Sequence, residues 1–252
     1  WTGNWSADSG RSKIYTDWSK MITMKINEPV FLGTTTMVSA TTLTPIIKVT
    51  NSNLTSSDLK DVVILANFDL SSKKIIKELA NLPSAESAPA GNDNVQNVPR
   101  GFEWRDDEPA SIVYAIPLDS GLIKKQVEFH DAVYSLSAPF TQAAKELFKT
   151  KMRYSGTIWG DASLALFTEG LRGKQIARVS RYNSSTKQTE LLYERNVTDA
   201  YNNPGTPVLE KNSLGRPAIV QLDNGKSILM NNPVGSSPKG DLPFLSKFDL
   251  ST

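Results

Sequence analysis

The chain contains one imidazole, His130, and no cysteine. These facts exclude thiol nucleophiles, disulfides, thiolate zinc sites and His-rich metal centres, and they leave one candidate for imidazole base catalysis. His130 stands in Val127-Glu128-Phe129-His130-Asp131-Ala132-Val133-Tyr134. Its neighbour Asp131 invites a relay, but adjacent residues of a strand project to opposite faces, so neither orients the other. His130 is therefore read as a structural or surface residue. A serine nucleophile would need Gly-x-Ser-x-Gly at a strand-to-helix turn. Gly3-Asn4-Trp5-Ser6 and Gly160-Asp161-Ala162-Ser163-Leu164 come nearest, and both miss the spacing. The sequence thus assigns no catalytic residue, no cofactor-binding residue and no metal ligand, and it leaves substrate-binding residues open.

Other charged groups carry blander readings. Asp106-Asp107-Glu108 pairs carboxylates that acid–base or calcium chemistry can use, but the cluster sits in a predicted turn, where a turn-forming role is expected. Arg172, Lys174, Arg178 and Arg181 fall in one predicted hairpin. Alternate positions would line one strand face and suit a substrate carboxylate, whereas an edge strand guarded by charge is the simpler expectation. Asn-x-Ser/Thr sequons at Asn4, Asn53, Asn183 and Asn196 are no more than chance supplies in a chain so rich in Ser and Thr. No EF-hand loop, phosphate-binding glycine loop or dinucleotide fingerprint is present. A net charge of +2 gives no case for nucleic acid as a partner. No apolar run approaches the ~20 residues of a membrane span, so no membrane insertion is expected.

The elements available to position these groups are strands. Asp61–Phe68, Ser111–Ile116, Leu164–Phe167, Ile176–Ser180, Pro217–Leu222 and Ser227–Met230 are short apolar runs bounded by Gly, Asn, Asp, Ser and Pro. Asp223-Asn224-Gly225-Lys226 reads as a hairpin turn. Thr141–Phe148 reads as two turns of helix, and Leu82–Pro99 as a long loop. A motif recurs in which a Trp closes a strand, an Asp-containing turn follows, and an apolar strand returns. Its copies are Trp5-Ser6-Ala7-Asp8, Trp104-Arg105-Asp106-Asp107 and Trp159-Gly160-Asp161. A repeat of about 40–50 residues with four strands per unit is the propeller signature, because blades apolar on both faces are covered only by stacking on neighbours. The fold class expected is all-β. It is a β-propeller of about five four-stranded blades (1–33, 34–80, 98–140, 150–195 and 204–252), or that many blades within a propeller of seven or eight. A β-sandwich with coincidental Trp–Asp pairs is the alternative. Residues 1–252 are expected to form one propeller domain or a propeller fragment. Because the chain opens on Trp1, it is expected to be processed or cut from something longer.

Five strings resemble one family in order and spacing. They are Pro99-Arg100-Gly101-Phe102-Glu103-Trp104-Arg105-Asp106-Asp107-Glu108-Pro109-Ala110, Leu136-Ser137-Ala138-Pro139-Phe140, Arg153-Tyr154-Ser155-Gly156-Thr157-Ile158-Trp159-Gly160-Asp161, Asp199-Ala200-Tyr201-Asn202-Asn203-Pro204-Gly205 and Ser236-Ser237-Pro238-Lys239-Gly240-Asp241-Leu242-Pro243-Phe244-Leu245. Together they resemble the N-terminal β-propeller of glutamyl-endopeptidase-like serine peptidases of the prolyl oligopeptidase family. The resemblance runs from about Val62 to Thr252 and is loose over the first 60 residues, where Pro45-Ile46-Ile47-Lys48 replaces a His- and Arg-rich segment usual in the family. It implies a propeller that caps a C-terminal α/β-hydrolase domain carrying Ser, Asp and His. None of those catalytic motifs has a counterpart in this chain.

The function expected is therefore that of a non-catalytic propeller gating peptide access to a hydrolase domain of the same parent polypeptide, with peptide as substrate and no cofactor. A stand-alone binding propeller, or an envelope-associated scaffold, is the alternative. A Cys-free, processed chain suits a periplasmic or secreted location.

Overall fold

The short apolar runs become strands of four four-stranded and two two-stranded antiparallel sheets in the computed structural model, which describes residues 42–43, 46–49, 62–69, 74–83, 87–161 and 163–250. The first expected blade, 1–33, and its Trp5 motif lie outside the described residues. Two compact units are present. The first contains β1 (Thr42–Leu43), β2 (Ile46–Val49), β3 (Val62–Asp69) and β4 (Lys74–Leu82). There β3 is central, pairing with β1 and β2 along one side and β4 along the other.

The second unit holds three four-stranded sheets, the first two laid down in chain order and the third built on a central strand. One comprises β5 (Arg100–Trp104), β6 (Ser111–Pro117), β7 (Asp131–Ser137) and β8 (Lys145–Thr150). The next comprises β9 (Arg153–Trp159), β10 (Ala165–Leu171), β11 (Ile176–Asn183) and β12 (Gln188–Asn196). In the last, β13 (Thr206–Pro207) and β14 (Leu209–Lys211) form one interrupted strand, as do β15 (Pro217–Ile219) and β16 (Gln221–Leu222). They are followed by β17 (Ser227–Asn232), a small hairpin of β18 (Ser236–Ser237) and β19 (Gly240–Asp241), and finally β20 (Phe244–Asp249). The sequential four-stranded antiparallel sheet is the propeller blade, and the all-β propeller class expected from the sequence is what the chain forms.

Blades need partners on both faces, and the core shows why. Ala165 and Phe167 of β10 pack with Val113, Ala115, Val133, Phe148, Tyr154, Trp159 and Tyr182. Their alternates Leu164 and Leu166 pack on the opposite side with Ile219, Ile228, Met230 and Leu250. One strand thus serves two hydrophobic layers, as its period of two requires. Phe148 stacks on Phe167 with centroids 4.1 Å apart and meets Tyr182 at 5.0 Å. The outermost strand β12 is exposed or half-buried throughout.

Two expectations are corrected. The helix expected at Thr141–Phe148 does not form: residues 141–144 are irregular and the rest enters strand β8. Its Ala-Lys-Glu composition favours helix, but pairing along β7 and the insertion of Phe148 into the core override that propensity. The basic hairpin 172–181 does not supply an edge strand. Strand β11 lies between β10 and β12, and its charges are matched across the ladder, with Arg178 opposite Glu194 and Arg181 opposite Glu190.

The repeated Trp motif is realised in the two copies described. Trp104 and Trp159 each close the first strand of a blade, and the next residue starts the turn by donating its N–H across it, Arg105 to Ser111 O and Gly160 to Leu164 O. Asp161 accepts the Ser163 N–H at 2.9 Å and its hydroxyl at 2.7 Å, as a turn Asp should. Asp107 does something else: it takes Nε and Nη2 of Arg105 at 3.0 and 2.6 Å. This aims the Arg105 guanidinium over the Trp159 ring of the next blade, 4.1 Å from its centroid. Asp223 and Asn224 both take positive φ (51° and 55°) in the hairpin read from the sequence. Truncating Trp159, 1% exposed, to Ala should cost about 3–5 kcal/mol, read as a lower urea midpoint; a loss below 1 kcal/mol would contradict its place at the blade junction.

Candidate functional site

In an antiparallel blade the first and third strands start at the same end, so β5, β7 and β9 bring Arg100, Asp131 and Arg153 together there. The loop after β6 adds Asp119. Asp119 and Asp131 are fully buried, and Arg153 is 6% exposed. The Arg153 guanidinium donates to Asp119 Oδ1 at 3.1 Å and Oδ2 at 2.6 Å, to Asp131 Oδ1 at 3.0 Å and to the Asp93 carbonyl at 2.7 Å. Asp131 Oδ2 accepts the Tyr154 N–H at 2.8 Å and pairs with Arg100 Nη2. Asp119 also accepts the Gly121 N–H and holds His130 Nδ1 at 2.7 Å.

Two guanidinium groups and two carboxylates therefore balance at a junction between two blades. Burial pushes the Asp119 carboxyl up. Hydrogen bonds from Arg153 and His130, the Arg153 charge and the Gly121 N–H together outweigh it and hold the group below the usual carboxylate range.

This junction fixes three loops. Arg153 holds the Asp93 carbonyl, Val95 N–H donates to Gly121 O, and Ile123 N–H donates to Asn94 Oδ1. Asp93 turns its carboxylate to the Arg172 and Gly173 N–H groups at 2.6 and 2.9 Å, tying the same loop to the β10–β11 turn. Between these loops lies a cleft of about 970 Å³. Its charged lining comprises Lys124, Lys125, Lys151, Lys174 and Arg178, beside the half-buried His130 and against one carboxylate, Asp93, already engaged. This basic cleft is the candidate site.

The groups singled out in the sequence are dispersed. His130 and Asp131 do not contact each other through their side chains; each joins the ionic junction through a different partner, Asp119 and Arg153. Asp106, Asp107 and Glu108 lie together in the β5–β6 turn. There Arg105 takes Asp107 and Glu108, and Arg216 donates to the carbonyls of Arg105, Glu108 and Pro109. Lys174 and Arg178 line the cleft, Arg172 lends it only a backbone N–H, and Arg181 lines a separate hollow with Asp161 and Gln221. Sequence reasoning missed Asp119, Lys124, Lys125 and Lys151. The available signal was the Lys124-Lys125 pair in a loop; Asp119 carried none.

The ionic junction predicts a pH dependence. Because the folded Asp119 is held below its unfolded value of about 3.9, its stabilisation is complete above that pH and drains away as pH falls through the folded value. Asp119→Asn should cost about 3–5 kcal/mol at neutral pH and flatten the acid limb of the stability curve. Urea unfolding from pH 7 to about pH 2 tests this, and an unchanged acid limb would contradict it.

No family model matches the chain. A probable chloroplastic glutamyl endopeptidase of Oryza sativa subsp. japonica is 34% identical over 186 residues, covering 71% of this chain and 20% of that protein. A probable chloroplastic glutamyl endopeptidase of Arabidopsis thaliana is 32% identical over 187 residues, covering 71% of this chain and 19% of that protein. The chain thus spans about a fifth of the length of these curated relatives. Among solved structures, the β-propeller domain of the Trilobed protease from Pyrococcus furiosus aligns over 85% of this chain and 67% of that one, at 9% identity and a TM-score of 0.33. No helix among the described residues is long and apolar enough to cross a membrane. The chain carries a glutamyl-endopeptidase-like β-propeller region.

Proposed function

We propose that this region is the non-catalytic propeller of a serine peptidase, and that it controls which peptides reach a hydrolase domain on the same polypeptide. The observation that carries the reading is the one-third identity, over most of the chain, to proteins of whose length the chain spans about a fifth. Blades locked by apolar layers and a buried ionic junction make a stiff cap. Such a cap keeps folded proteins from the chemistry, admits flexible peptides and limits bulk water. A periplasmic or secreted location belongs to the same proposal. The second reading, a stand-alone binding propeller, draws on the basic cleft, whose lining comes entirely from this chain.

The 252-residue chain should hydrolyse no peptide and take up no fluorophosphonate label. The full-length polypeptide should do both while sparing folded proteins. Labelling of a serine within the 252 residues would overturn the reading. Cleavage of folded protein by the intact polypeptide would overturn the access-control role.

A further inference from the structure

The cleft beside the ionic junction has features that gating does not use. Its ammonium groups crowd one concavity. Lys124, Lys151 and Lys174 have no ion-pair partner among the described residues, and Lys125 reaches only the Ser120 hydroxyl at 3.1 Å. The one carboxylate in the lining, Asp93, is turned away into the N–H groups of Arg172 and Gly173. Like charges gathered in a concave wall raise the local potential and favour a multivalent anion there.

The lining also narrows the kind of anion. It contains no Phe, Tyr or Trp, and its one ring is the half-buried His130 imidazole tied to Asp119, so it lacks the broad platforms on which nucleobases stack best. Its one guanidinium, Arg178, has Nε committed to Glu194, which takes its side-on fork and offsets its charge. What remains are ammonium point charges, which suit phosphate oxygens without a fixed planar geometry. The wall is set before any ligand arrives, because Arg153 holds Asp93 and Asn94 holds Ile123, so little ordering opposes binding.

We infer that this cleft binds a compact, non-nucleotide polyphosphate through Lys124, Lys125, Lys151 and Lys174. The site stands or falls by direct binding, whether or not the peptidase reading holds.

Isothermal titration of the 252-residue chain with inorganic tripolyphosphate tests this. The expected result is saturable one-to-one binding that weakens as salt rises, since the charges are exposed. Charge reversal in Lys151→Glu/Lys174→Glu should lower affinity by about tenfold or more, with an unchanged circular dichroism spectrum. Lys211→Glu, on an exposed strand outside the cleft, should leave affinity unchanged. Absence of saturable binding, or equal affinity in the double variant, would overturn the site. A hexaglutamate peptide that binds as tightly as tripolyphosphate would overturn the phosphate assignment and give the cleft to acidic peptides.

Discussion

The burial of Arg153 between Asp119 and Asp131 is the constraint on which the rest of this unit depends. A guanidinium 6% exposed is tolerable only when its donors are matched, and here four acceptor contacts lie within 3.1 Å. The carboxylates are equally committed, to Gly121 and Tyr154 N–H groups, to His130 and to Arg100. Such a junction is not a large net source of stability, because desolvating its charges offsets most of their attraction. Its effect is on specificity. Any register that separates β9 from β7 leaves charges buried and unpaired, at several kcal/mol each. The apolar layers on both faces of β10 supply most of the favourable free energy, while the ionic junction selects one alignment of the two blades.

The same junction links fold to site. Blade packing alone would leave residues 89–97 as a loose connection. Through the Asp93 carbonyl, Arg153 turns that connection into a fixed wall, and through its carboxylate Asp93 ties the wall to the β10–β11 turn. A second fastening lies elsewhere on the unit, where Arg105 covers Trp159 and Arg216 collects three carbonyls of the β5–β6 turn. Both fastenings are built on arginine, whose planar fork serves several acceptors at once in a way that lysine does not. Lysine is used where the charge faces the open cleft.

Much of the fold was legible in the sequence, for local reasons. Strands such as Ser111–Pro117 and the Asp223-Asn224-Gly225 turn carry their signals within a few residues, and the Trp-turn-strand motif at Trp104 and Trp159 sits at equivalent blade positions. Strand β8 was not legible, because Ala-Lys-Glu states a helical preference and only the distant partners of Phe148 reverse it. The site was hidden for a related reason. Arg100 and Arg153 stand inside the strings that resemble the peptidase family, so their presence was visible. Their pairing with Asp131 and Asp119 joins residues 22 to 34 positions apart and appears only once the blades are stacked. The cleft lysines come from three separate turns, which no spacing rule gathers.

The central claim, that this propeller region works as part of a larger peptidase, is tested most directly by the size of the native gene product. An antibody raised against the chain should detect in source cells a polypeptide several times heavier than 27.7 kDa. A single band near 27.7 kDa, with no larger precursor, would contradict the account and leave a free-standing binding propeller in its place.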